Sequence, residues 1–283
     1  MAGFREVADR VWVARYDWFD VNVTVVAGSA GLLVVDTHAS ERAARAVVED
    51  VRGLGAGEVV AVVNTHEHFD HTFGNDTFRG EFAGVPITAH EEAAAHTVPR
   101  GHELQARAAS WTDPRGGEVA ETTLLSADHT FSSVLAIDLG GDRGVELVHP
   151  GRGHTAGDLV VRIEDADVLL AGDLVEESGM PSFGDDCFPM EWPLTLDLVH
   201  SLAGPDTVVV PGHGAPVDLD FAQEQRSAIG IVAETIRDLA GRGVPQGQAL
   251  EAAEWPYPRE RLGDAVRRGY EQLPRSQKRL PLV

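Results

Sequence analysis

Residues 58–71 read EVVAVVNTHEHFDH, an apolar run that ends in a polar stretch of histidines and acids. A continuous β-branched run is typical of a strand buried on both faces, and binding sites of layered α/β folds lie beyond such strand ends. On a helix His66 and His68 would point to different sides, whereas on an extended turn they share a side. Asp70 and His71 can then turn toward a second point. The stretch therefore predicts two adjacent metal sites.

Three further positions place a His or Asp directly after an apolar run. They are His154 in GRGHTAGD, Asp173 in LLAGD and His213 in PGHG, with glycines that allow tight turns. Each motif alone is more often a surface histidine, a strand end or a turn. Histidine and carboxylate ligands together suit zinc and similar divalent metals, whereas Ca²⁺ and Mg²⁺ prefer oxygen ligands. The combination therefore indicates a metal centre.

The apolar runs also predict how strands and helices alternate. Strands are predicted at 11–16, 22–28, 31–37, 58–64, 85–90, 132–139, 144–150, 158–164, 167–173 and 207–214. Helices are predicted at 40–54, from 91, at 192–202 and, with interruptions near Pro245 and at 255–258, from 218 to about 273. Irregular or helical cover is expected at 97–127. Strands interleaved with helices predict a layered α/β fold.

Composition narrows the range of partners. The 283 residues carry 23 Lys+Arg and 45 Asp+Glu, a formal net charge of −22. Such acidity argues against nucleic-acid binding and against docking on anionic membranes. The single cysteine, Cys187, excludes a disulfide scaffold and a cysteine-based zinc cluster. The N-terminal segment has no apolar signal core and no run approaches the ~20 residues of a membrane helix, so we expect a soluble cytoplasmic protein.

The ordered set HEHFDH, GHTAGD, LLAGD and PGHG resembles the motifs of the metallo-β-lactamase superfamily over residues 10–215. The resemblance implies an α/β fold, a four-layer αββα sandwich with the metals at one edge between two sheets. It implies a catalytic domain at 1–217 and a C-terminal helical extension at 218–283 packed on the same domain. The locally basic segment 259–279 is expected to be a solvated or oligomer-contacting helix. Whether the protein forms a homo-oligomer stays open.

The resemblance also implies a role for each candidate ligand. The first metal would be held by His66, His68 and His154, the second by Asp70, His71 and His213, with Asp173 bridging both. Asp36 and Asp158 would orient the ligand side chains without binding the metals themselves. The implied cofactor is two zinc ions, with iron or manganese as alternatives. Two such ions share a water and lower its pKa, so that a bridging hydroxide attacks a small-molecule substrate, and Asp70 would orient that water as the catalytic residue.

Asp173 indicates the branch of the superfamily. A bridging aspartate is typical of glyoxalase II-like, lactonase-like and phosphoesterase members, whereas true β-lactamases usually carry another residue. The resemblance thus implies a hydrolase of a small ester, thioester, lactone or amide, rather than a true β-lactamase. A mononuclear-iron persulfide dioxygenase and a polyketide cyclase or thioesterase-like enzyme stay open as alternatives.

The substrate pocket is less clearly encoded. Trp18 and Phe19 are candidates for an apolar flap, and the loop at 176–192, with Phe183 and Trp192, is a candidate pocket wall. A place in the core is the alternative for each of these aromatic side chains. His38 follows Asp36 and is a further candidate near the site. Structural roles are expected for Cys187 and for His90, His96, His102, His129, His149 and His200.

Overall fold

The computed structural model describes residues 3–277, so Lys278 and Arg279 of the basic segment lie outside the described residues. Within that range the chain forms two sheets that face each other. The first sheet contains β1 (Arg5–Ala8), β2 (Val11–Tyr16), β3 (Val21–Gly28), β4 (Gly31–Val35), β5 (Val59–Val63), β6 (Ile87–His90) and β7 (His129–Phe131). The second contains β8 (Val134–Asp138), β9 (Gly144–Val148), β10 (Val160–Ile163), β11 (Val168–Glu176) and β12 (Val208–His213).

The two sheets meet at the edge where the metal centre was predicted. A single pair, His213 opposite Val21, joins β12 to β3. Asn22 strengthens this junction, because its buried side chain donates to the backbone oxygens of Pro211 at 2.9 Å and Gly214 at 2.8 Å. The end of β12 is thereby fixed against the first sheet.

Helices cover the outer face of each sheet. The described helices are α1 (Glu41–Leu54), α2 (Phe69–Thr72), α3 (Asn75–Glu81), α4 (Glu91–Ala108), α5 (Gly116–Glu121), α6 (Trp192–Ser201), α7 (Leu219–Gly241), α8 (Gln246–Ala249) and α9 (Gly263–Gln272). Three short 3₁₀ turns occupy Glu164–Ala166, Arg259–Arg261 and Arg275–Gln277. Helix α1 begins at Ser40, whose hydroxyl accepts from the Ala43 amide, and ends at Gly55 with φ of 64°.

Side-chain alternation places the core in three apolar layers. Along β4, Leu33 faces the second sheet, where it shares a buried cluster with Leu147, whereas Leu32 faces α1. The outer face of the second sheet packs against α6, α7 and α9 through a cluster that includes Trp192 and Ile236. Because both faces of the central strands are buried, their sequences are continuous apolar runs. The predicted four-layer αββα sandwich is confirmed.

One local difference from the predictions affects the site. Strand β11 continues to Glu176, so Asp173 lies inside a strand rather than at its end. The region 97–127 is largely helical, because α4 runs to Ala108 and α5 follows it. The interruptions predicted near Pro245 and at 255–258 separate α7, α8 and α9. The domain boundary at 217/218 stays a prediction, although α7 and α9 pack on the second sheet.

Candidate metal centre

The structure brings all seven predicted ligands together at the open edge of the sandwich. The segment after β5 supplies the HEHFDH residues, with His68 directly before α2. His154 lies in the loop after β9, Asp173 in β11, and His213 at the end of β12. Gly212 is required here by space, since a Cβ would lie 1.9 Å from Asp173 Oδ1. Each predicted motif therefore contributes its side chain to one cluster.

The first ligand group contains His66, His68, His154 and Asp173, whose donor atoms all lie within 4.8 Å of one another. His154 Nε2 is 2.8 Å from His68 Nδ1, and Asp173 Oδ2 is 3.4 Å from the same His154 nitrogen. Asp173 Oδ2 is 3.7 Å from His66 Nε2. Three imidazole nitrogens and a carboxylate oxygen thus converge on one point.

The second ligand group contains Asp70, His71 and His213, also within 4.8 Å. Its two imidazoles approach Asp173 from the other side, with His71 Nε2 at 3.2 Å from Oδ1 and His213 Nε2 at 3.2 Å from Oδ2. Asp70 Oδ2 lies 3.5 Å from His213 Nε2. The Asp173 carboxylate therefore faces both groups, the position that a bridging ligand requires.

The donor set fits metal cations. His66 Nε2 and Asp173 Oδ1 are buried and have no hydrogen-bond partner among the described residues. Unpartnered buried polar atoms are rare because they forfeit their hydration. A cation at the centre of each group would satisfy them, and the histidine and carboxylate donors suit zinc or a similar divalent ion.

Electrostatics point the same way. Burial lowers the pKa of the imidazoles, but at His213 the carboxylates of Asp173 and Asp70 prevail and raise the pKa to about 10. At His68 burial is likewise outweighed by Asp186, and the pKa rises to about 9. Although burial opposes it, the neighbouring histidines hold the pKa of Asp173 well below its usual range. The carboxylates of the cluster therefore favour positive charge beside them, which bound cations would supply.

Residues beside the strands of the first sheet fix the second ligand group. Asp36 Oδ2 lies 2.7 Å from His71 Nδ1, and the same carboxylate accepts from the Thr65 amide and hydroxyl, each at 2.8 Å. His213 Nδ1 donates to the backbone oxygen of Phe19 at 2.7 Å. The structure therefore places Asp36 where the sequence analysis expects it, behind a candidate ligand.

Two irregular segments fix the first group. His68 Nε2 lies 3.0 Å from Asp186 Oδ2, and His154 Nδ1 donates to the Ser182 oxygen at 2.9 Å. Asp158 contacts neither ring; it accepts from the Gly153 amide and from the Thr155 amide and hydroxyl. Asp158 thus shapes the backbone that presents His154, a less direct role than the one expected.

A cavity of about 530 Å³ opens above the ligands. Phe19 lines it as expected, but Trp18, Phe183 and Trp192 do not. These three side chains are 6%, 7% and 0% exposed and belong to the core, contrary to the expectation from sequence. The Trp192 indole, for example, donates to the Leu174 oxygen. Other side chains at the cavity include Phe69, Arg107, Glu176, Met180 and Arg261.

Three acidic residues near the site were not predicted from the sequence. Asp186 contacts His68, while Glu67 and Glu176 are buried and line the cavity. Burial and the neighbouring Asp173 raise the pKa of Glu176 to about 7. Asp186 carried one usable signal, the acidic pair at 185–186 inside the loop already assigned to the pocket wall. His38, also a candidate, is buried beside Tyr16 and Trp18 and does not line this cavity.

Comparison with known proteins identifies the family. A family model described as the metallo-beta-lactamase superfamily matches residues 16–213. The chain belongs to this superfamily. A metallo-beta-lactamase type 2 from Bacillus cereus is 27% identical over 195 residues, 68% of this chain and 66% of the relative, so the match spans just under two thirds of that enzyme. A probable metallo-hydrolase of Bacillus subtilis (strain 168), YqgX, is 27% identical over 172 residues, 59% of this chain and 74% of the relative.

Solved structures agree on the fold. A metallo-beta-lactamase from Pontibacter korlensis superimposes with a TM-score of 0.65 at 21% identity, covering 81% of this chain and 99% of the other. This similarity supports the sandwich architecture. Because both a β-lactamase and a metallo-hydrolase are among the relatives, the branch predicted from Asp173 is not decided by similarity.

No helix within residues 3–277 combines the length and the apolar character needed to cross a membrane.

Proposed function

We propose that the protein is a dinuclear zinc hydrolase that cleaves a small ester, thioester, lactone or amide. The observation that carries the proposal is the Asp173 carboxylate, which lies between two complete ligand groups and within 3.7 Å of an imidazole nitrogen on each side. We place the enzyme in the glyoxalase II-like and lactonase-like branch because of this aspartate.

The chain's own residues have defined tasks in such a reaction. When bound, two zinc ions would lower the pKa of a shared water and polarise the substrate carbonyl. Asp70 is 9% exposed and lines the cavity, so its carboxylate can orient the attacking water and accept its proton. Phe19, Phe69 and Met180 provide apolar walls that restrict bulk water and hold the substrate's apolar part.

Metal analysis and a substrate panel test the proposal together. We expect about two zinc ions per chain and hydrolysis of lactones or acyl-thioesters ahead of β-lactams and phosphodiesters. His68→Ala should abolish metal-dependent hydrolysis, because a ligand of the first group is lost. Purified protein without bound metal, or turnover confined to phosphodiesters, would contradict the proposal.

The alternatives give different results in the same experiments. One iron per chain, with oxygen consumed on glutathione persulfide, would indicate a persulfide dioxygenase. Turnover of polyketide thioesters alone would indicate a cyclase or thioesterase-like enzyme. A cytoplasmic location, the absence of a nucleic-acid or membrane partner, and a homo-oligomeric state remain predictions from the sequence.

A further inference from the structure

The loop at residues 182–188 reaches two of the three histidines in the first ligand group. It binds their outer nitrogens, since the Ser182 oxygen accepts from His154 Nδ1 and the Asp186 carboxylate contacts His68 Nε2. The partner of the outer nitrogen decides which tautomer an imidazole adopts and where its inner nitrogen points. The position of this loop therefore sets the geometry of both rings.

Helix α9 of the C-terminal region holds the backbone of the same loop. Arg268 Nε donates to the Cys187 oxygen at 3.0 Å, and Gln272 Nε2 donates to the same oxygen at 2.9 Å. Arg267 Nη2 donates to the Asp185 oxygen at 3.3 Å. Because Cys187 is 0% exposed, its carbonyl oxygen has no water to replace these donors. The two backbone oxygens that flank Asp186 are thus bound by one helix.

Side chains on both sides of the loop reinforce this attachment. The centre of the Phe188 ring lies 4.4 Å from the guanidinium carbon of Arg152 and 5.1 Å from that of Arg268. From α4, Arg100 Nη2 lies 2.8 Å from Asp186 Oδ2 and 2.5 Å from Asp185 Oδ1. Arg100 therefore fixes the carboxylate, while α9 fixes the backbone that carries it.

We propose that α9 is a positioning element of the first metal site, acting through the 182–188 loop on His68 and His154. The inference rests on the proposed metal centre and adds that the C-terminal region sets the affinity of one site only. The second group does not depend on this loop, because the outer nitrogens of its histidines are bound by Asp36, directly after β4, and by the Phe19 backbone in the turn between β2 and β3. Helix α9 packs on the outer face of the second sheet.

Stepwise metal titration tests the proposal. In the double variant Arg268→Met and Gln272→Leu, both donors to Cys187 are lost while side-chain volume is kept. Loss of the residues that support metal ligands typically weakens binding about 10- to 100-fold. Because Arg268 and Gln272 act on the ligands only through the loop, we expect a loss near the lower end of this range, about 10-fold, for one of the two cobalt(II) equivalents added to apo-protein, with a changed visible spectrum for that equivalent and no change for the other.

Three comparison proteins make the result decisive. Asp186→Asn acts directly on His68 and should weaken the same equivalent. Arg226→Met removes a comparable arginine contact from the same C-terminal region, its pair with Asp197 at 2.7 Å, and should leave both equivalents unchanged. If the double variant does not fold, Gln272→Leu alone should show a smaller loss at the same equivalent.

The possible failures are distinguishable. Wild-type protein that binds no cobalt(II) contradicts the proposed function, and this inference with it. Wild-type protein that binds two ions, with a folded double variant that binds both as tightly, contradicts only the role of α9. Equal weakening of both equivalents also overturns it, because a general loss of stability would act on the two sites alike.

Discussion

The outer nitrogens of the histidines are held in different ways in the two ligand groups. In the second group, the His71 ring is bound by Asp36, a buried residue directly after β4. The backbone oxygen of His71 accepts from Thr37 and Asn64. In the first group, His68 and His154 are bound by a loop without regular secondary structure. Asp36 thus ties His71 to the end of a strand, whereas the outer nitrogens of His68 and His154 depend on irregular backbone.

This difference has a physical consequence for metal binding. Strand ends are fixed by hydrogen bonds and by packing on both faces, so a ligand placed there is preorganised. Loop backbone depends on the few contacts that hold it, and local opening costs less free energy there. The first site is therefore the one whose affinity the rest of the chain can adjust, and variants of the supporting residues should separate the two sites.

The largest effect is expected for Asp173→Asn, because this carboxylate faces both ligand groups directly. An amide keeps the shape but removes the charge that faces four imidazoles. Both metal equivalents should weaken, and hydrolysis should fall by roughly a thousandfold or more, since water activation depends on the metals. Metal content and kcat/KM measure this. The matched control is Asp206→Asn on an exposed turn; an Asp173 variant that keeps two tight ions would contradict the bridging role.

A selective effect is expected for Asp36→Asn. The substitution weakens the charge-assisted contact to His71 Nδ1 and disturbs the bonds to Thr65. The ion in the second ligand group should therefore bind about 10- to 100-fold more weakly. The ion in the first group should weaken less, because Asp36 reaches that group only through the Thr65 hydroxyl, which lies 3.1 Å from His66 Nδ1. Stepwise titration followed by ultraviolet–visible spectroscopy of the cobalt(II) protein distinguishes the equivalents. If Asp36→Asn and Asp186→Asn weaken the same one most, the two groups are not separately supported.

The same contrast explains how much the sequence could predict. The ligands were found because each follows a buried strand within a short motif, and strand ends of both sheets meet at one edge. Asp36 was found for the same reason, at the end of GLLVV. Asp186 is 118 residues from His68 and lies in a loop whose path depends on α9, so local pattern did not identify it.

The cavity walls show a second limit of prediction from the sequence. Trp18 and Trp192 were candidates because large aromatic side chains near a site often line it, yet both are buried in the core. Trp192 is the first residue of α6 and points inward against Phe183 at a ring distance of 5.2 Å. Size and position in the sequence do not reveal which face of a helix is covered. At Trp192, packing of the C-terminal helices against α6 decides which face is covered.

The smallest effect is expected for Thr155→Val, which tests the loop support one step from the ligand. The Thr155 hydroxyl donates to Asp158 Oδ1 at 2.7 Å and accepts from the Gly157 amide, so an isosteric valine removes both bonds without a cavity. A buried donor or acceptor left without its partner costs about 1–3 kcal/mol, and the Thr155 amide still binds Asp158. The free energy of unfolding should fall by an amount near the lower figure in urea denaturation.

In metal titration Thr155→Val should lower the affinity of the first ligand group by less than Asp186→Asn does, because Asp158 acts on His154 only through the backbone. The second ligand group should keep its affinity, since Thr155 contacts neither Asp36 nor the Phe19 backbone. Thr207→Val is a matched control, because its hydroxyl also binds an aspartate, Asp167, at the opposite end of the second sheet. A metal effect as large as that of Asp186→Asn would show that backbone shape, rather than the partner of the outer nitrogen, sets the first site.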